Sequence, residues 1–402
     1  MQIPGFWRTF LATIRASLVS RDTFIIFAGA IAFYLIFYAW PYGNQQIEHV
    51  PAAVLDLDRS SASRRLTMTI DASPTIDVAI VTPMEGEAMA GFRREAFPIL
   101  ITIPEGYERS LARGENVTVH ILGNGAYPVK ARAVQAAMAG IVQDKAKLLD
   151  EPAVFATGLP GPSVTGLPHT PPALRVQYMW NTIGGYGNYT VPVVGPVIIQ
   201  AVMLMAITMA MGGWLVAARR ESFVEGALRH PGVRGTAVFL AFWVMTCLWF
   251  VYMQGFDFWI HEYGTMANPG GVMLAGVLFS AAVSAFGMAI TMLLGSNRWS
   301  SQAVVMISAP AVFVSGGIWP VTNILNPAVY AFSLLIPTTP GIPVLLATSQ
   351  DGAMTPDLIP QLSLLAVQTL GYLLLAAWLA RRHTAREDEA RHQRVPNAPN
   401  EA

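Results

Sequence analysis

The chain is 402 residues long, 53% hydrophobic and only 12% charged, too apolar and too poor in charge for a soluble globular protein of that length. Its 25 basic and 25 acidic residues balance, so bulk electrostatics give no reason to expect nucleic acid. The one cysteine, Cys247, cannot form an intrachain disulfide, and the scattered histidines show no zinc-binding spacing; no metal and no cofactor is expected on this chain.

Residues Gln2 to Asp22 carry Phe6, Trp7, Phe10, Leu11, Ile14 and Leu18 at helical spacing, with Arg8, Arg15 and Arg21 around the rest of the wheel. This predicts an interfacial helix over residues 1–22. Thr23 to Trp40 is an uncharged apolar run, close to the ~20 residues needed to cross a hydrocarbon core. Its bulky aromatics (Phe33, Tyr34, Phe37, Tyr38, Trp40) and the lack of a small-x-small cleavage site after it favour a retained span over 23–42 rather than a signal peptide.

From Gly43 the composition becomes that of a soluble domain. VPAAVLDLD, TIDVAIV, FPILITIP and NVTVHIL read as strands, alternating with helices in SSASRRLTMTI, MEGEAMAGFRREA, EGYERSLARG and about Pro128 to Leu149. Alternation predicts a compact α/β domain of unreadable strand order. It carries no Gly-rich phosphate fingerprint. Glu151 to Pro172, dense in Pro and Gly, is expected to be an extended return to the membrane, closing a domain and linker over 43–173.

Residues 174–380 hold five further apolar runs: Val191 to Ala217, Thr236 to Gly255, Gly271 to Gly295, Ser300 to Trp319 and Leu362 to Ala380. The fold class expected is therefore an α-helical membrane protein with six transmembrane helices and an inserted α/β extracytoplasmic domain. Arginines lie before the first run, between the second and third (Arg219, Arg220, Arg229, Arg234), between the fourth and fifth (Arg298), and in the basic tail over 381–402. Phe256 to Pro269 and Pro320 to Pro360 contain neither Lys nor Arg. The bias predicts that both termini are cytoplasmic and the α/β domain is outside. Phe332 to Leu346, broken by Pro337, Pro340 and Pro343, is too interrupted to span, and an external re-entrant or interfacial hairpin over 320–346 is expected.

The loop over 219–232 is basic and amphipathic. Ser222 and Glu225 stand in the S-x-x-E spacing of a capping box; Phe223 with Ala227, and Val224 with Leu228, share a face, while Glu225 and Arg229 form an acid-to-base pair. Pro231 and Gly232 end this short helix, whose alternative is an ordinary solvated loop.

None of the six runs contains Asp, Glu, Lys or Arg, which disfavours an intrinsic ion-coupled pump. Gly276, Ser280 and Ser284, at four-residue spacing, suit close helix packing, and Thr208, Thr246, Thr291 and Gln302 supply the limited polar content. No G-x-x-x-x-G-K-[ST] occurs, so ATP cannot be bound through a P-loop here and any energy for transport has to arrive from another subunit.

Taken together these residues resemble the ABC-2 type transporter permeases, in the subgroup with a large periplasmic domain after the first transmembrane helix. Arg175, Asn181, Tyr186, Tyr189 and Pro192 are similar to the family's approach to its second helix, and Asp56, Asp58 and Ser60 to the first strand of its inserted domain. Arg220, Glu221 and Glu225 match the start of the family's coupling helix, although its usual Gly-Thr is here Phe223-Val224 and the lysine often opening the third helix is absent. Ser315, Gly316, Gly317, Trp319 and Pro320, then Pro337 and Thr338, resemble its small-residue turn and external hairpin.

The resemblance implies a type V ABC exporter-like fold in a bacterial inner membrane, paired with a second permease copy or paralog. ATP and Mg would sit on a partner ABC ATPase contacting Arg220, Glu221, Ser222, Phe223, Glu225, Leu228 and Arg229. Ser315, Gly316, Gly317, Trp319, Pro320 and Pro337 would form an external gate or re-entrant turn. A hydrophobic or amphipathic substrate, drug or lipid, and a periplasmic adaptor are implied, and membrane lipids surround the helices. Two rival readings remain: a non-transporting envelope scaffold or phage-receptor-like protein, and an external enzyme using Asp56, Asp58 and Ser60.

Overall fold

The computed structural model describes residues 4–42, 47–94, 96–113, 115, 117–123, 128–150, 185–217, 232–263, 268–295, 308, 313–318, 321–350, 352–353 and 355–394. These form two compact units, Met1–Gly43 with Gly187–Ala402, and Asn44–Tyr186.

The first unit begins with α1 (Pro4–Val19) and α2 (Arg21–Ala39), separated by a break at Ser20. Thr9, Thr13 and Ser17 face inward, each donating its hydroxyl to the carbonyl four residues back, while Trp7, Leu11 and Leu18 are exposed. Small hydroxyl side chains that satisfy themselves locally let α1 lie close against another helix, and the large apolar groups are left facing outward.

The second unit is an α/β sheet domain of β1 (Val50–Asp56), α3 (Ser61–Asp71), β2 (Ile76–Thr82), α4 (Glu85–Arg93), β3 (Ile99–Ile103), α5 (Tyr107–Ala112), β4 (His120–Gly123) and α6 (Pro128–Asp150). The sheet order is β2-β1-β3-β4, parallel except for the antiparallel β3–β4 pair. β1 is central, so nearly every one of its residues is buried and it reads as a continuous apolar run rather than an alternating one. Val50, Ala52 and Val54 pack under Leu66 and Ile70 of α3 and Val134 and Met138 of α6; Ala53 and Leu55 face Ala88 of α4 and Phe97 on the other side. Ser60 starts α3 by accepting the Ser63 N–H at 3.0 Å.

The first unit resumes with α7 (Tyr186–Ala217), α8 (Val233–Ile260), α9 (Pro269–Leu294), α10 (Pro327–Ser333), α11 (Thr338–Ser349) and α12 (Ile359–Arg394). Among the described residues five helices are long and apolar enough to cross a membrane, or six if the bent pair α10–α11 counts as one. The run Ser300 to Trp319, read from sequence as a span, lies almost wholly outside the described residues. α9 is central, packed on α8, α11 and α12 and 78% buried over its apolar window, whereas α2 and α12 are 28% and 22% buried. Those two carry the outward apolar surface, including Phe33, Phe37, Val367 and Leu374. α1 packs along α8.

One sequence expectation is corrected here. The third apolar run ends at Gly255, but α8 continues through a π-helical stretch, Tyr252–Asp257, to Ile260 and takes a buried Asp257 with it. The helices are therefore not free of ionisable groups.

Candidate functional site

Three polar side chains inside the membrane unit converge on the break between α10 and α11. These two helices meet at 66° across Leu334–Pro337. Asn326 caps α10 by accepting the Ala328 N–H at 2.9 Å, and Pro337 precedes the first turn of α11. A broken helix leaves backbone groups without partners, and where water is excluded other side chains must supply them.

Three do so. Gln200 of α7, 1% exposed, accepts the Thr338 N–H at 3.1 Å. Gln368 of α12, 6% exposed, donates to the Leu334 carbonyl at 2.8 Å and reaches the Ile336 carbonyl at 3.5 Å. Tyr372, one turn further along α12, donates its hydroxyl to the Leu335 carbonyl. The bent pair α10–α11 is thus held by side chains from two separate long helices. Sequence reasoning passed over Gln200, Gln368 and Tyr372, although a lone glutamine in an otherwise uncharged run is a readable signal.

The small-residue turn meets the same assembly. Ser315 is fully buried, and Gly316 adopts a left-handed φ of 87°, which a side chain would strain. Gly317 lies so close to α7 that an added Cβ would fall 2.2 Å from Val193 Cγ1, and its carbonyl accepts the Tyr189 hydroxyl. The structure therefore brings together Ser315, Gly316, Gly317 and Pro337 with α7. Trp319 and Pro320 lie outside the described residues.

The packing residues sit on the inner face of α9. A Cβ on Gly276 would fall 2.0 Å from the buried Phe250 ring of α8. Ser284 shares a 2.9 Å hydrogen bond with Thr246, which also donates to Phe242 O. Thr291 donates to Thr208 of α7 at 3.2 Å, and Ser280 is fully buried. These bonds link α9 to α8 and to α7. Arg220, Glu221, Ser222, Phe223, Glu225, Leu228 and Arg229, between α7 and α8, lie outside the described residues.

In the α/β unit the strand order reverses between β1 and β3, where doubly wound sheets ordinarily seat ligands beyond the strand ends. Here the chain's own carboxylates fill that crevice. Asp58 accepts the Gly106 and Glu108 N–H groups at 2.8 and 3.1 Å. Burial pushes its carboxyl up, but the bonds from Ser60, Glu108, Gly106 and Tyr107 outweigh it and hold Asp58 below the usual carboxylate range. Asp56 accepts the Asp58 and Arg59 N–H groups and the Ser63 hydroxyl, and Ser60 caps α3. All three residues serve turns and caps of the α/β unit.

A family model described as ABC-2 family transporter protein matches residues 21–378. No curated protein and no solved structure matches the chain. The match takes in α2, the α/β unit, the pinned hairpin and most of α12, nearly the whole of the architecture just described, and the chain belongs to the ABC-2 family of transporter membrane proteins.

Proposed function

We propose that this chain is the permease subunit of an ATP-driven exporter, moving a hydrophobic or amphipathic substrate, drug or lipid, out of the cytoplasm or inner leaflet of a bacterial inner membrane. Both termini are cytoplasmic in this reading, the α/β unit is external, and a second permease copy completes the pathway. ATP and Mg belong to a separate ATPase subunit, and a periplasmic adaptor could receive the substrate.

The observation that carries the reading is the span of α7. It is a single helix of 32 residues, about 48 Å long at 1.5 Å per residue. One end leads directly into residues 218–231; the other carries Tyr189 and Val193, which hold the turn, while Gln200 at the middle of the helix holds the start of α11. A push on the loop by an ATPase would be delivered along a rigid rod to the gate, with Pro192 and Pro196 near the far end as the places where the rod can bend. The Thr208–Thr291 and Thr246–Ser284 bonds give α9 and α8 contacts through which that motion would be passed on.

The test is purification of the tagged chain from its native host in nanodiscs. A stoichiometric ATPase, with hydrolysis uncoupled from transport in Glu225→Ala, supports the proposal. Recovery of the chain alone, with the variant fully active in cells, contradicts it and favours the scaffold reading.

A further inference from the structure

The end of α8 away from residues 218–231 holds a buried acid. Asp257 is fully buried, and among the described residues neither carboxylate oxygen has a hydrogen-bond donor. The His261 Nδ1 lies 3.3 Å from Asp257 Oδ1 and 2.9 Å from the Asp257 carbonyl, and this imidazole is itself 8% exposed. The ring stacks on Tyr263 with centroids 5.5 Å apart. Tyr263, 1% exposed, donates its hydroxyl at 3.1 Å to the carbonyl of Ala39, the last residue of α2. Carboxylate, imidazole and phenol thus form one line of contacts from the end of α8 to the end of α2.

The local turn explains the placement. Tyr263 N–H returns to the Phe258 carbonyl at 3.0 Å and Glu262 N–H points to the Trp259 carbonyl at 3.5 Å, with Glu262 at φ 52° and the Phe258 and Tyr263 rings in contact. This is a Schellman ending, and it makes His261 the C-cap, where the free carbonyls of the last turn favour a cation.

Few other titratable groups lie on the elements packed here. α2 offers the phenols Tyr34 and Tyr38 and no charged residue after Asp22; α7 offers Tyr186 and Tyr189 and no charged residue. In α8 itself Tyr252 stands near Asp257, Arg234 is at the opposite end of the helix, and Glu262 beyond it is exposed. A bare carboxylate is strongly disfavoured in such surroundings, and His261 is the one base against it among the described residues.

We propose that Asp257 and His261 form a binding site for one shared proton, whose occupancy clasps the end of α8 to the end of α2. With one proton the pair is neutral overall, whichever group holds it. Removing that proton strands a buried anion, and adding a second strands a buried cation. The clasp is therefore closed over a window of pH and loosens on both sides of it. The proposal concerns this chain alone and stands without the exporter reading; with that reading, the clasp faces outside and senses external acidity.

The experiment is hydrogen exchange of the full chain in nanodiscs across pH, corrected for intrinsic rates, following peptides that cover 36–40 and 258–263. Wild type should show maximal protection of both at one pH and a fall of about tenfold or more on either side, one pH unit of mismatch being worth a factor of ten. The Asp257→Asn/His261→Gln double variant should lose the profile. A flat wild-type profile, or the same profile in the double variant, overturns the proposal. If the double variant does not fold, the wild-type profile decides together with 15N-histidine spectra, in which the signal missing from His261→Gln should titrate in step with protection; titration out of step overturns it as well.

Discussion

Removing Gln368 tests whether the hairpin is held as described. Its amide donates at 2.8 Å to the Leu334 carbonyl at a site 6% exposed, and no backbone donor reaches that carbonyl among the described residues. Gln368→Met keeps the length and packing of the side chain and deletes the donor. A buried acceptor left unsatisfied costs about 1–3 kcal/mol. The Ile336 carbonyl loses less, because the Thr339 N–H still reaches it at 3.0 Å. If the hairpin opens locally, that cost multiplies its opening equilibrium roughly 5- to 150-fold. Hydrogen exchange of the full chain in nanodiscs reads this at Thr338, whose N–H is accepted by Gln200 of α7, and at Thr339 and Gly341, whose N–H groups bond to the Ile336 and Pro337 carbonyls. Gln368→Met combined with Tyr372→Phe should open it further. An unchanged exchange rate at these amides in Gln368→Met, or a rise shared equally by the core of α9, would refute the pinning argument.

Other outcomes follow from the same packing and electrostatics. Gly276→Val should destabilise the membrane unit by about 1–3 kcal/mol through overpacking against Phe250, read as a lower thermal midpoint, with partial rescue by Phe250→Leu. Glu262→Gly should stabilise the end of α8 by about 1 kcal/mol, because Glu262 sits at the left-handed C′ position that glycine occupies without strain; slower exchange at Tyr263 would show it. Asp58 has a folded pKa below its unfolded value, so its contribution is fully present above the unfolded value near 4 and is lost as pH falls through the folded one. Protection of α5 should therefore weaken in acid, and Asp58→Asn should remove that dependence.

Five of the six expected spans were legible, because an uncharged run of about 20 residues has few other uses, and the strands and helices of the α/β unit fall where the alternating pattern puts them. Strand order was not, since it depends on long-range pairing that local sequence does not encode. The end of α8 was misread because a charge normally marks a loop, whereas Asp257 is kept inside by a histidine one turn later. In α1 the apolar spacing pointed to an interfacial helix, but it did not show that Thr9, Thr13 and Ser17 are the inward residues, because closeness between helices rewards small side chains. The small-residue turn was visible as Ser315-Gly316-Gly317, but its partners Tyr189 and Val193 stand more than a hundred residues earlier. Gln200 and Gln368 were passed over because the break they serve is formed by residues more than thirty positions from either of them.

The central claim is that work done at residues 218–231 reaches the hairpin through α7. The most direct measurement is hydrogen exchange at residues 334–341 in the nanodisc complex with its ATPase, with and without ATP, in wild type and Glu225→Ala. Exchange there should change with ATP in wild type and stay constant in the variant while hydrolysis continues. A hairpin indifferent to ATP, or one that responds identically in both, would contradict the account.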